Sequence, residues 1–73
     1  MKAIVYTKPM CGYCTSAKNL LKSKGIEYEE KYLDNPQVIN EFIEQHPDKR
    51  SMPQIWLDDE YIGGFQQLKL KLS

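Results

Sequence analysis

Hydrophobic and polar positions recur along this chain with two distinct periods, and the elements follow from them. Ala3-Ile4-Val5-Tyr6-Thr7 is a β-branched and aromatic run of strand length, ended by Lys8-Pro9. From Gly12 to Lys24 the residues Tyr13, Ala17, Leu20 and Leu21 recur at helical spacing; Gly25 supplies the C-terminal stop, with Lys22 and Lys24 suited to the negative helix end. Ile26 to Leu33 partly alternates and reads as a second strand. Asn35-Pro36 is an N-cap followed by proline at the first helical position. Val38, Ile39, Phe42 and Ile43 then form an apolar stripe, and Pro47 bars its continuation. "PQIWL" and "EYIGG" flank Asp58-Asp59 and read as a hairpin, and a last short helix starts near Phe65, with Leu68 and Leu72 four apart.

The resulting order is βαβαββα. The first two strands, joined through a helix, are expected to be parallel with a right-handed crossover, and the hairpin adds antiparallel strands. This predicts a thioredoxin-like α/β fold, a mixed four-stranded sheet with flanking helices. No repeat, linker or low-complexity segment interrupts it, so residues 1–73 are expected to form a single domain near the lower limit for a self-sufficient core.

Composition narrows the function classes. Hydrophobic residues make up 41% and charged residues 27%, with a formal net charge of +0, the composition of a globular chain rather than a disordered one. A balanced chain without a Lys/Arg run lacks the electrostatic footprint for nucleic acid or a membrane surface. The opening "MKAIVYTKPM" is too short in apolar residues for a signal peptide or a membrane span. A cytoplasmic location is therefore expected, where thiols are kept reduced and structural disulfides are rare.

Both cysteines, Cys11 and Cys14, sit where the first strand hands over to the first helix. At i and i+3 on a first helical turn they share a face and are close enough to form a disulfide. Cys11 falls at the helix N-terminus, where free N–H groups and the macrodipole favour a thiolate, and Lys8 adds a positive charge three residues earlier. Cys14, a turn further in, suits the resolving role. A zinc clip is the first alternative, but two cysteines and His46 fall short of four ligands, so carboxylates or a second chain would be needed. A purely structural pair is the second, and it sits poorly with a reducing compartment. C-x-x-C after a strand in a βαβ unit favours a redox dithiol over both. His46 is expected near the carbonyls at a helix end, and Trp56 in the core rather than as a substrate platform.

"YTKPMCGYC" and "RSMPQIWLDDEYIGGF" resemble the glutaredoxin family over essentially the whole chain, in the order and spacing of its strand, active site, Pro-containing segment and G-G turn. The resemblance implies Cys11 as nucleophile and Cys14 as resolving thiol. It implies a glutathione site in which Lys8 pairs with the glycyl carboxylate and Tyr13 walls the site. Met52 would precede a cis Pro53 and hydrogen-bond the substrate backbone like an added strand. Gly63-Gly64 and the helix beginning at Phe65, with Gln66, would offer N–H groups to the γ-glutamyl carboxylate. Three features depart from the family pattern. Gly12 replaces the commoner proline between the cysteines, Gln66-Gln67 stand where acidic residues are frequent, and the final helix is short enough to fray at Ser73.

The function implied is a monomeric, glutathione-dependent thiol–disulfide oxidoreductase that reduces protein disulfides and glutathione mixed disulfides. Its reductant would be glutathione, with no nucleotide or flavin, and its partners disulfide-containing or glutathionylated proteins. Two alternatives stand beside it. One is a glutaredoxin-like redoxin reduced by thioredoxin reductase. The other is a glutathione-assisted carrier of a [2Fe–2S] cluster, held through Cys11 in a protein whose Gly12 loosens the first turn; otherwise no metal is expected.

Overall fold

The computed structural model describes all residues from Met1 to Ser73. The elements run β1 (Lys2–Thr7), α1 (Gly12–Ser23), β2 (Glu27–Tyr32), α2 (Pro36–Gln45), β3 (Gln54–Leu57), β4 (Glu60–Gly63) and α3 (Phe65–Leu72), the order expected from the periodicity. The sheet order is β2-β1-β3-β4. β1 pairs in parallel with β2, from Lys2 opposite Glu27 to Thr7 opposite Tyr32, and antiparallel with β3, Val5 facing Ile55. The fold is thioredoxin-like, a mixed sheet with helices on both faces.

Alternation along β1 and β3 sends two sets of side chains in opposite directions. Ala3, Val5, Ile55 and Leu57 meet Ala17 and Leu21 of α1 and Leu68 of α3 in the larger core cluster. Burying a side chain such as Leu21 is worth roughly 1.5–3 kcal/mol, so this face carries most of the stability. On the other face Tyr6 and Trp56 pack with Phe42 of α2, beside Cys14, Leu33 and Met52. The stripe expected on α2 is buried only at Phe42, while Val38 and Ile39 stay half-exposed against the cluster. One ten-residue helix serves this face where two serve the other, so less of its stripe is covered.

Local chemistry sets the element ends. The Asn35 side chain accepts from the Val38 N–H at 3.0 Å, with Pro36 at the first helical position. α1 closes through Gly25, whose φ of +69° is open to glycine, with Gly25 N–H donating to Lys22 O and Ile26 N–H to Leu21 O. The hairpin turns on Asp58 and Asp59, both left-handed at φ 46° and 70°, and Asp58 Oδ1 accepts from the Lys2 N–H at 2.9 Å, tying the turn to β1. His46 caps α2 through its backbone N–H, which donates to Phe42 O at 2.9 Å. Its ring lies between Phe42 and Trp56, with centroids 4.8 and 5.8 Å away, so aromatic packing rather than helix-end carbonyls positions the imidazole.

Candidate active site

β1 delivers the chain to the dithiol. After Thr7, the segment Lys8-Pro9-Met10 turns sharply, with Met10 in the left-handed region at φ 58° and its side chain fully exposed. Cys11 is then the N-cap of α1, and its Sγ accepts from the Cys14 N–H at 3.2 Å. A sulfur there takes the place of a capping oxygen, so in the reduced protein the same N–H and the helix dipole stabilise a thiolate. Cys11 Sγ also lies 3.6 Å from the Met52 carbonyl oxygen. The two cysteines are joined as a disulfide, with their Cα atoms 5.3 Å apart. Cys14 is buried at 3% exposure and Cys11 half-buried, the asymmetry expected from their places on the helix.

On one side of the dithiol runs a groove of about 270 Å³, lined by Tyr13, Ser51, Met52, Pro53, Gly64, Phe65, Gln66 and Gln67. Six of the residues expected at a ligand site thus share one surface. The Tyr13 and Phe65 rings stack with centroids 5.9 Å apart, joining the N-termini of α1 and α3. The Met52–Pro53 peptide is cis, as the family resemblance implied. The N–H groups of the first turn of α3 have no intrahelical partner and are available to an anion. One of the expected donors is already engaged. Gly64 N–H is not free, because Gln67 reaches back and its Oε1 accepts that bond at 3.0 Å. Glutamine at the third helical position closes a capping interaction with the N-cap backbone, a pattern the sequence already carried.

Lys8 does not line that groove. It borders a second cavity, of about 370 Å³, on which Cys11 and Cys14 also open, together with Thr7, Thr15, Lys18, Glu30 and Tyr32. Here the structure assembles a polar cluster that periodicity did not single out. Thr7 Oγ1, buried at the end of β1, donates to Glu30 Oε2 at 2.7 Å, and Lys18 Nζ lies 3.1 Å from the same oxygen. The Thr7 hydroxyl, and after it Lys18, hold the Glu30 carboxyl below its ordinary value against the opposing effect of burial. The available signal was that Lys18 follows Cys14 by four residues, which puts both on one face of α1. Its partner on β2 depends on strand register, which the chain order alone does not give. No three of the His, Cys, Asp and Glu side chains come together as a metal site.

Comparison with known proteins gives this geometry a family. The glutaredoxin family model matches residues 3–62. A probable glutaredoxin of Synechocystis is 41% identical over 64 residues, spanning 86% of this chain and 73% of that protein. Glutaredoxin 3 of Escherichia coli is 38% identical over 64 residues, spanning 88% and 77%. Among solved structures, glutaredoxin 1 from Francisella tularensis, complexed with cacodylate, superposes with a TM-score of 0.87 at 32% identity, covering 97% of this chain and 91% of that one. A buckwheat glutaredoxin–glutathione complex superposes with a TM-score of 0.79 at 23% identity, covering 96% and 66%, and shows the fold alone. Glutaredoxins draw on glutathione as reductant. A family match across most of the chain, together with relatives near 40% identity, leaves one assignment: the chain belongs to the glutaredoxin family and is a thiol–disulfide oxidoreductase.

Proposed function

We propose that this protein is a dithiol glutaredoxin that uses glutathione to reduce protein disulfides and glutathione mixed disulfides. The observation that carries this reading is the groove leading from the α3 N-terminus, past Tyr13 and Phe65, to the Met52 carbonyl beside Cys11 Sγ. It has the shape for an extended peptide-like thiol, with a pairing edge at Met52, N–H groups at Phe65 and Gln66 for a carboxylate, and Lys8 beyond the dithiol for a second. The family's use of glutathione as reductant supports the choice of ligand.

The Cys11 thiolate attacks the glutathione sulfur of a mixed disulfide, and the substrate leaves as a thiolate that takes a proton from water. Cys11 then carries glutathione. A second glutathione thiolate attacks the bound glutathione sulfur, forming glutathione disulfide and returning the electron pair to Cys11. With a protein disulfide, Cys11 first forms a mixed disulfide with the substrate. Cys14 loses its proton, attacks Cys11 Sγ and releases the second substrate thiol, leaving the Cys11–Cys14 disulfide for two glutathiones to reduce. The N–H bond from Cys14 to Cys11 Sγ supports this order, since it stabilises Cys11 as both nucleophile and leaving group.

The test runs two coupled assays side by side on one glutathione mixed disulfide, one with glutathione and glutathione reductase, the other with thioredoxin reductase. Turnover only in the first is expected. Turnover only in the second would replace glutathione with a flavoprotein donor.

A further inference from the structure

Gln67 is placed to do more than cap a helix. Its arm lies across Gly63, where an added Cβ would meet Gln67 Cγ at 3.1 Å, Cβ at 3.3 Å and Cδ at 3.4 Å. Gly63 has a φ of +119°, so glycine there leaves the seat that the arm fills. From that seat Oε1 reaches the Gly64 N–H at 3.0 Å. Gln67 is exposed, so the seat and this one hydrogen bond hold the arm. Both Gly64 and Gln67 line the groove assigned above to the ligand. The carboxamide oxygen thus occupies a backbone donor in the same groove as, and next in the chain to, the Phe65 and Gln66 N–H groups assigned above to the carboxylate.

We propose that Gln67 sets affinity and selectivity in the groove by competing with the ligand's γ-glutamyl carboxylate for the Gly64 N–H. The proposal rests on the glutathione reading. An amide oxygen is a neutral acceptor and a carboxylate a charged one, so the ligand's bond is the stronger and displaces the arm. Only the difference between the two bonds then appears as affinity. A thiol without a carboxylate at that end leaves the arm in place and gains nothing from Gly64. Gln67 therefore weakens glutathione binding and narrows the groove's preference for ligands that carry the anion over those that do not. It also differs from an acidic residue at the same position, whose charge would draw the ligand's ammonium.

The experiment is calorimetric titration into a Cys11→Ser background, which blocks exchange at the nucleophile. Reduced glutathione is compared with cysteinylglycine, which lacks the γ-glutamyl group. Gln67→Ala removes the arm; Gln67→Met keeps its methylenes over Gly63 and removes only the acceptor, so it serves if the alanine variant loses stability. Both variants should bind glutathione about two- to tenfold more tightly than the parent, the range set by one exposed neutral hydrogen bond. Cysteinylglycine binding should not change. If the parent binds glutathione and Gln67→Met binds it equally or less well, the competition is overturned and the glutathione reading stands. If cysteinylglycine tightens as much as glutathione, Gln67 merely obstructs the groove and the carboxylate competition is overturned. Glutathione binding to none of the proteins would overturn both the inference and the reading beneath it.

Discussion

Replacing Thr7 with valine tests the contact that ties β1 to β2 beside the dithiol. Thr7 is 1% exposed, and its hydroxyl donates to Glu30 Oε2 at 2.7 Å. Valine keeps the branched shape and the strand preference but removes the donor. A hydrogen bond to a charged group is worth about 1.5–3 kcal/mol. Glu30 retains Lys18 at 3.1 Å and, with its side chain 31% exposed, recovers some hydration, so the lower end applies. The expected loss is about 1–1.5 kcal/mol at neutral pH, or a fall in Tm of roughly 4–10 °C for a chain this small.

The pH dependence gives this prediction its sign. The Thr7 hydroxyl is the largest cause holding Glu30 below 4.5 in the folded protein. A carboxyl with a depressed folded pKa adds stability that is fully present above its unfolded value and lost as pH falls through the folded value. The parent should therefore lose more stability on acidification than Thr7→Val, and the gap between them should narrow. Urea denaturation of both proteins at pH 7 and about pH 2 measures the two gaps. A gap of equal size at both values would mean that packing, not the charged hydrogen bond, carries the effect. No gap at neutral pH would mean that water replaces the hydroxyl without loss.

Three further outcomes are expected. Cys11→Ser should abolish all exchange, whereas Cys14→Ser should retain activity on glutathione mixed disulfides and lose protein-disulfide reduction; the opposite pattern in the two coupled assays would reverse the roles. Gln66→Asp should tighten glutathione binding about fivefold, since a charged partner for the ligand's ammonium is worth roughly 1 kcal/mol more than a neutral one at an exposed site. That gain should fade as salt is raised, and equal calorimetric affinities at low salt would show that Gln66 does not meet the ammonium. Phe42→Ala removes the one buried side chain of α2 and should cost about 3–5 kcal/mol in urea denaturation, with a red shift of Trp56 emission as its ring cluster opens. A loss under about 1 kcal/mol would show that α2 is anchored elsewhere.

Much of the architecture was legible because local chemistry and global topology agree. Asn35-Pro36, Gly25 and Asp58-Asp59 each mark an element end with a distinct signal, and the structure uses every one of them. Periodicity placed Cys11 and Cys14 on the first turn of α1, and from that the N-cap sulfur follows. Pairings between residues far apart in the chain were less accessible. Glu30 meets Thr7 only because Val5 pairs with Glu30 in the parallel register, which turns the Glu30 side chain toward the end of β1. The extent of burial on α2 was hidden for a related reason. An apolar stripe says which face turns inward but not how much surface waits to receive it.

The division of labour at the dithiol follows from a single helical turn. Placing Cys11 at the N-cap points the Cys14 N–H at its sulfur, and the same turn carries the Cys14 side chain inward among Leu33, Phe42 and Met52. Dipole and N–H lower the energy of charge on Cys11, while the apolar surroundings raise it on Cys14. Both effects are properties of the backbone path and the core rather than of a charged neighbour. The difference between the two thiols should therefore survive high salt, which screens Lys8 and Lys18 but not a buried N–H. Thiolate absorbance titrations of the reduced single-serine variants test this. With Cys11 free, the midpoint should lie below that found with Cys14 free, and raising the salt to about 1 M should shift the gap only slightly. A gap that closes in salt would transfer the asymmetry from the helix to the lysines.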